Sequence, residues 1–158
     1  MKQKVLFLCT GNYYRSRFAE ILFNDLAQKF DLEWQADSRG LMIELGHSNI
    51  GAISPYAVKR LEEIGVPLPE PTRLPASLTD EDLQKSDLII AMYDNEHRPM
   101  VSNRFPSWLE KVEFWKVPDV HEVSSATALP NIEAQVKSLV EQLKSVGGEA
   151  VNIETSKS

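Results

Sequence analysis

The stretch VLFLCTGNYYRSR, residues 5–17, sets the order of the first structural elements. Four apolar residues lead into Cys9, the only cysteine of the chain, and an Arg-Ser pair follows at Arg15 and Ser16. A short apolar run that is closed by a Gly-Asn turn is typical of a buried strand in a parallel sheet. The stretch therefore predicts a strand that ends at Cys9, a tight turn, and a helix that begins near Arg15.

Length and composition predict a single domain. The chain has 158 residues, of which 42% are hydrophobic, so it is long enough for one core and short for two. We expect the domain to span residues 1–148 and the polar residues 149–158 to form a frayed tail. The net charge of −6 argues against a general nucleic-acid or membrane-surface binder, because phosphate-rich partners require a basic face.

Cysteine usage and hydropathy predict a cytoplasmic protein. A single cysteine cannot form an internal disulfide, and the first residues lack the apolar segment of a secretory signal peptide. No window approaches 18 uninterrupted apolar residues, so we expect no membrane span and no membrane partner.

Strand and helix patterns alternate along the chain. Residues 66–79 contain four prolines and predict an extended surface connection. Strand patterns occur at residues 4–8, 32–38, 87–92 and 112–117, and helical patterns at residues 17–30, 54–64, 79–84 and 132–143. The alternation predicts an α/β fold, in which a four-stranded parallel twisted sheet has helices on both faces.

The turn after Cys9 is suited to an anion and to an activated sulfur. Gly11 and Asn12 tolerate unusual backbone angles, so several N–H groups can point at one anion. A helix N-terminus and the Arg15 guanidinium favour both a thiolate and a bound phosphate, and Ser16 can donate to the sulfur. A lone cysteine is more often a small buried hydrophobe, but strand, turn and helix all occur here in the required order.

The motif CTGNYYRS, residues 9–16, resembles the phosphate loop of the low molecular weight protein tyrosine phosphatases, Cys-x-Gly-Asn-x-x-Arg-Ser. The resemblance continues through SRG at 38–40, LIIAM at 88–92 and VPDV at 117–120. It implies that Cys9 is a nucleophile that forms a phosphocysteine and that Arg15 is the phosphate clamp.

The same resemblance assigns the remaining loop residues. Asn12, Ser16 and Ser38 would support the loop by hydrogen bonds. The residues that would bind phosphate are Thr10, Gly11, Asn12, Tyr13, Tyr14, Arg15 and Ser16.

Asp119, in KVPDVHE at residues 116–122, is the candidate general acid and base. The leaving oxygen of a phosphate ester must be protonated, and the same carboxylate can later activate water. An Asp after a Pro is more often a turn residue, but this one follows the fourth strand at the edge that holds Cys9. The family has an Asp-Pro pair in this loop, whereas Val120 follows the Asp here.

Four further residues depart from the family or extend the site. Tyr14 replaces a second cysteine that is common in the family, and Tyr13 offers a stacking face for an aromatic substrate. Arg17, in place of a common Pro, is expected to add positive charge near the mouth of the site. Asp94, beyond the third strand, is a candidate to orient Arg15.

The leading hypothesis is a phosphomonoesterase that needs no metal and no cofactor. Its substrate would be a phosphotyrosine protein or a small aryl phosphate, and its loop would also hold inorganic phosphate or another oxyanion. Two alternatives stay open: a single-cysteine arsenate reductase that uses an external thiol, and a catalytically weak module that binds phosphate or phosphoproteins. The sequence does not separate phosphotyrosine from phosphoarginine or small phosphoesters.

Overall fold

The strand that ends at Cys9 lies in the interior of a four-stranded sheet. A computed structural model describes residues 2–148, and the tail expected at residues 149–158 lies outside them. The strands are β1 (Gln3–Cys9), β2 (Trp34–Gly40), β3 (Leu88–Ala91) and β4 (Val112–Phe114). All neighbouring pairs are parallel, and the spatial order is β2-β1-β3-β4.

Strand β1 is apolar and buried from Val5 to Cys9 because helices cover both of its faces. Val5 and Phe7 belong to a core cluster on one side of the sheet, and Leu6 and Leu8 to a cluster on the other side. The first cluster includes residues of α1 (Arg15–Lys29), α2 (Pro55–Glu63) and α5 (Ser125–Gly148). The second includes residues of α3 (Asp80–Gln84) and α4 (Asp94–Arg104). The predicted three-layer α/β fold is confirmed.

Local start signals place α2 and α3 where the sequence predicts them. The Ser54 hydroxyl accepts a hydrogen bond from the N–H of Tyr56, and Pro55 is the first helical residue of α2. Thr79 and Asp82 form a capping box at the start of α3.

Helix α4 is not predicted by the sequence pattern. Only His97 and Val101 of this helix are buried, and Pro99 lies inside it, so its apolar periodicity is weak. The helix is held by its packing on β4 and on the short 3-10 helix Pro106–Lys111, which a periodicity count does not detect.

Helix α5 begins at Ser125, seven residues before the predicted start at residue 132. Pro130 suggests a loop, yet it is the sixth residue of the helix. A proline at this position has no N–H, so one helical hydrogen bond is not formed. The burial of Ala128 and Leu129 outweighs that loss. No helix among residues 2–148 is long and apolar enough to cross a bilayer.

Gly40, the last residue of β2, lies directly against the turn that follows Cys9. A Cβ atom at this position would lie 2.9 Å from the carbonyl oxygen of Thr10 and would also strike the side chain of Ile43. The close approach allows the N–H groups of Leu41 and Met42 to donate to the carbonyls of Cys9 and Thr10.

We expect Gly40→Ala to lower the free energy of unfolding by about 1–3 kcal/mol, because the added methyl group forces the end of β2 away from Thr10. Urea denaturation monitored by circular dichroism measures this change. Gln35→Ala, at an exposed position of the same strand, is the control and is expected to change stability by less than about 0.5 kcal/mol. Equal stability of the two variants would contradict the packing argument.

Candidate active site

Cys9, Arg15 and Asp119 line one cavity of about 650 Å³ at the carboxyl edge of the sheet. Cys9 ends β1, Arg15 begins α1, and Asp119 follows β4, so three separate segments meet at this edge. The structure therefore brings together the three residues for which the sequence predicts catalytic roles.

The turn from β1 to α1 leaves its N–H groups free. Asn12 has a φ of 53°, a left-handed conformation that Asn tolerates better than most residues. The carbonyls of Cys9, Thr10 and Tyr13 accept hydrogen bonds from neighbouring segments. Among the described residues, no acceptor is found for the amides of residues 11–14. Such a set of unpaired amides, next to a helix N-terminus, forms a site for an anion.

The sulfur of Cys9 contacts a hydroxyl at the start of α1. The Sγ atom of Cys9 lies 2.9 Å from Oγ of Ser16, and Cys9 is only 2% exposed. Nδ2 of Asn12 donates to Oγ of Ser16 and to Oγ of Ser38, each at 2.9 Å. The three residues predicted to support the loop thus contact one another directly beneath it.

Three of the five N–H donors of Arg15 are already bound. Nη1 donates to Oε1 of Glu96 at 3.0 Å and to the carbonyl oxygen of Val117 at 2.9 Å, and Nη2 donates to Oε2 of Glu96 at 2.8 Å. The buried Nε has no partner among the described residues. Because Glu96 takes the Nη1–Nη2 edge, the two remaining hydrogens lie on the Nε–Nη2 edge. That edge offers two parallel donors to an oxyanion.

Asp119 faces this free edge of Arg15. Its Oδ2 atom lies 3.7 Å from Nη2 of Arg15 and 3.8 Å from Nδ1 of His121, while its Oδ1 accepts a hydrogen bond from the N–H of Val120 at 2.7 Å. The Asp119 side chain is 29% exposed. A carboxylate here can reach both a leaving group and a water molecule above the sulfur.

A family model described as "Low molecular weight phosphotyrosine protein phosphatase" matches residues 4–151. This chain belongs to that family.

Relatives of the family differ in their named activities. A protein-arginine-phosphatase of Bacillus subtilis is 32% identical over 68% of this chain and 67% of its own length. An arsenate reductase of Halalkalibacterium halodurans is 32% identical over 72% of this chain and 71% of its own. A low molecular weight protein tyrosine phosphatase from T. tengcongensis superposes with a TM-score of 0.74 at 26% identity, over 89% of this chain and 99% of the other.

Glu96 is the carboxylate that orients Arg15, and the sequence pattern does not identify it. The pattern places this segment beyond the third strand, but without α4 it does not show that Glu96, and not Asp94, faces Arg15. Asp94, the residue considered for this role, instead pairs with the exposed Arg98 at 2.7 Å. Burial alone would raise the pKa of Glu96, but hydrogen bonds from His97 and Arg15 outweigh it and hold that pKa well below the ordinary value. Glu96 therefore stays ionised.

His97 and Thr10 fix the position of Glu96. The Thr10 hydroxyl donates to Oε2 of Glu96, and Nε2 of His97 lies 3.1 Å from the Thr10 oxygen. Nδ1 of His97 accepts a hydrogen bond from the N–H of Tyr93, so the neutral ring carries its hydrogen on Nε2. Burial of His97, which is fully enclosed, lowers its pKa, and although the hydrogen bond to Glu96 opposes this shift, the pKa stays below its ordinary value.

Tyr13 and Tyr14 form part of the cavity wall in this family member. The Tyr13 hydroxyl donates to the carbonyl oxygen of Ile50 at 2.6 Å. The ring of Tyr14 packs edge-on against Tyr56, with centroids 6.3 Å apart. Burial, together with nearby Asp119, raises the pKa of Tyr14 to about 12, so its hydroxyl stays protonated.

Arg17 does not lie at the mouth of the cavity, and that expectation is wrong. Its side chain is 1% exposed and donates to the carbonyl oxygens of Arg73 at 2.8 Å and Ala52 at 3.3 Å. It also pairs with Glu20 at 3.5 Å. The side of α1 that carries Arg17 faces the proline-rich segment, so Arg17 binds neighbouring loops instead of a ligand.

Arg73, which the sequence pattern does not identify, lies beneath the turn from β1 to α1. Nη1 of Arg73 donates to Oδ1 of Asn12 at 2.9 Å, and Nη2 donates to Oγ of Ser38 at 3.0 Å and Oε1 of Glu20 at 3.1 Å. Burial raises the pKa of Glu20, while Ser38, Arg73 and Arg17 oppose that shift. Among residues 2–148 no group of three or more His, Cys, Asp or Glu side chains is arranged to hold a metal ion.

We expect the free energy of unfolding to fall as the pH drops from about 7 to 5, with a slope of at most about 1.4 kcal/mol per pH unit. Because the pKa of His97 is lowered in the folded chain, His97 takes up less of a proton in this range than a histidine in the unfolded chain does. Since the unfolded state then binds more protons, acid favours unfolding. His97→Gln is expected to flatten this dependence in urea denaturation at several pH values.

His47→Gln is the control for this experiment, because His47 is exposed. The control variant is expected to keep the wild-type slope. A wild-type slope in His97→Gln would contradict the assignment of a buried neutral imidazole.

Proposed function

We propose that this chain is a cysteine-dependent phosphomonoesterase that hydrolyses phosphotyrosine through a phosphocysteine intermediate. The observation that carries the proposal is the free Nε–Nη2 edge of Arg15, which shares one cavity with the Cys9 sulfur and the Asp119 carboxyl group. One phosphate group can bind to this edge and to the loop amides while its phosphorus faces the sulfur.

The first step transfers the phosphoryl group to sulfur. The thiolate of Cys9 forms the S–P bond as the P–O bond to the leaving group breaks, and protonated Asp119 gives its proton to the leaving oxygen. In the second step the Asp119 carboxylate takes a proton from water, the water oxygen bonds to phosphorus, and the S–P bond breaks. Inorganic phosphate and the Cys9 thiolate are the products.

Arg15 and the loop amides stabilise the charge on the phosphoryl oxygens in both steps. The clamp needs little reorganisation, because Glu96 and the carbonyl of Val117 already hold the guanidinium in place. Phosphoryl transfer depends mainly on such positioning and on charge stabilisation.

The cavity walls favour an aromatic leaving group. Tyr13, Tyr14 and Tyr56 line the cavity, and aromatic faces pack well against the ring of a phosphotyrosine. Asp119 is the single carboxylate among the described lining residues, and it already faces Arg15. The cationic guanidinium part of a phosphoarginine would therefore find little compensating charge here.

Two further activities are second candidates because relatives of the chain carry those names. The Bacillus subtilis protein-arginine-phosphatase supports phosphoarginine as a substrate. The Halalkalibacterium halodurans arsenate reductase supports arsenate, for which Cys9 would need an external thiol, since it is the only cysteine.

We expect Cys9→Ser to abolish turnover of p-nitrophenyl phosphate and of a phosphotyrosine peptide, because no thiolate remains to attack phosphorus. Steady-state release of p-nitrophenol and of phosphate measures the loss. Retained turnover in this variant would exclude the phosphocysteine route.

Asp119→Asn is expected to lower kcat on the phosphotyrosine peptide by about 10²–10⁴-fold. The loss should be smaller on p-nitrophenyl phosphate, whose leaving group needs less protonation. Glu122→Gln, an exposed carboxylate three residues along the same loop, is the control and should retain wild-type rates. Equal rates for Asp119→Asn and wild type would remove the role proposed for Asp119.

A substrate panel separates the candidate activities. We expect a higher kcat/KM on a phosphotyrosine peptide than on a phosphoarginine peptide of the same sequence, and the reverse order would make phosphoarginine the substrate. Consumption of thiol that depends on arsenate would support the reductase. Phosphate binding without turnover of any substrate would identify a binding module.

A further inference from the structure

The proline-rich segment at residues 66–79 is docked against the end of β2. The N–H of Gly40 donates to the carbonyl oxygen of Ala76 at 2.8 Å, and the N–H of Leu78 donates to the carbonyl oxygen of Gly40 at 2.9 Å. The sequence predicts a plain surface connection here, and the structure holds it in register with a strand. Arg73 is carried by this segment, so its guanidinium has a defined position.

The bonds of Arg73 determine which way the Asn12 amide points. Oδ1 of Asn12 accepts from Nη1 of Arg73 at 2.9 Å and from the N–H of Ala76 at 3.0 Å. Both partners can only donate, so the atom that faces them must be the amide oxygen. The NH₂ group of Asn12 therefore points at the hydroxyl oxygens of Ser16 and Ser38.

The hydrogen bonds of Ser38 indicate the same orientation of the Asn12 amide. The Ser38 hydroxyl donates its hydrogen to Oε1 of Glu20 at 2.5 Å, and its oxygen accepts from Nη2 of Arg73 at 3.0 Å. Ser38 has no second hydrogen to give, so it receives a hydrogen bond from Asn12.

This series of hydrogen-bond donors ends at the sulfur of Cys9. Since Oγ of Ser16 accepts from Nδ2 of Asn12, the hydroxyl hydrogen of Ser16 remains available for Sγ of Cys9, 2.9 Å away. A positive charge at an amide oxygen draws electron density from the amide nitrogen and makes its hydrogens stronger donors. Each hydrogen bond in the series Arg73, Asn12, Ser16, Cys9 is strengthened by the one before it. The last hydrogen bond is donated to the Cys9 sulfur, and a donated hydrogen bond favours the charged form of its acceptor, here the thiolate.

We infer that Arg73 is a positioning residue that favours the thiolate of Cys9 through the amide of Asn12 and the hydroxyl of Ser16. The inference rests on the proposed function, in which Cys9 is the nucleophile. Arg73 touches no substrate in this role and acts only through Asn12 and Ser16.

Other charged groups face the same network and stay in place when Arg73 is changed. They are Arg17 and Glu20 from α1, Asp37 from β2, and Arg15 and Asp119 beside the sulfur. A neutral residue at position 73 therefore removes one positive charge and the hydrogen bonds that the guanidinium donates to Asn12, Ser38, Leu74, Glu20 and Asp37. The groups that contact Cys9 are unchanged.

The test measures the rate at which iodoacetamide alkylates Cys9 as a function of pH. Because the chain has one cysteine, every alkylation event reports on Cys9. We expect Arg73→Met to move the midpoint of the pH–rate curve upward by about one pH unit, and Arg73→Lys to recover at least half of that shift. If Arg73→Met does not fold, the same measurement is made on Arg73→Gln.

Arg39→Met is the matched control. Arg39 is also half-buried, and it also pairs with Asp37, but it makes no hydrogen bond to Asn12. Its midpoint is expected to equal that of the wild type, even if its melting temperature falls. A folded neutral variant at position 73 with the wild-type midpoint would overturn the inference, as would an equal shift in Arg39→Met.

Alkylation of Cys9 does not require catalytic turnover, so this experiment tests the role of Arg73 whether or not the chain has the proposed phosphatase activity. A shifted midpoint in a chain without phosphatase activity would leave the role of Arg73 standing and remove the proposed function. An active chain without the shift would remove the role of Arg73 alone.

Discussion

The left-handed backbone of Asn12 is the constraint on which the rest of the site depends. It turns the chain from β1 into α1 within five residues, so that the sulfur of Cys9, the loop amides and the start of a helix face one cavity. A conformation of this kind is unfavourable for most side chains and persists only where the surroundings hold it. Here the Asn12 side chain is fully buried and all four of its hydrogen-bonding positions are used.

Arg15 shows how the protein keeps a charged clamp buried and still available. A buried guanidinium is costly unless it is paired, and Glu96 with the carbonyl of Val117 supplies that pairing. Within residues 2–148 the two donors on the Nε–Nη2 edge have no hydrogen-bond partner. The contacts that stabilise the buried charge and the donors proposed to bind phosphate thus belong to different edges of one side chain.

Much of the fold could be predicted from local sequence patterns. The apolar run of β1, the Ser54-Pro55 start of α2 and the capping box at Thr79 depend on neighbouring residues, so the sequence alone predicts them. Helix α4 could not be predicted in this way, because it buries only two side chains and owes its stability to its packing on β4 and on residues 106–111. Because the sequence pattern does not predict this helix, it favours Asp94 as the partner of Arg15, whereas the structure has Glu96 in that place.

The sequence by itself determined the strand-turn-helix that carries Cys9 and Arg15, because a buried strand, a Gly-Asn turn and an amphipathic helix are each set by short-range preferences. It also placed Asp119 at the same edge, since the carboxyl ends of parallel strands meet there. The tertiary structure alone decided what supports these residues. Glu96 reaches Arg15 across 81 positions of the chain and Arg73 reaches Asn12 across 61, and Arg17, one residue from the loop, points away from it. Contacts of that range depend on how the layers pack, and no local pattern in the chain encodes them.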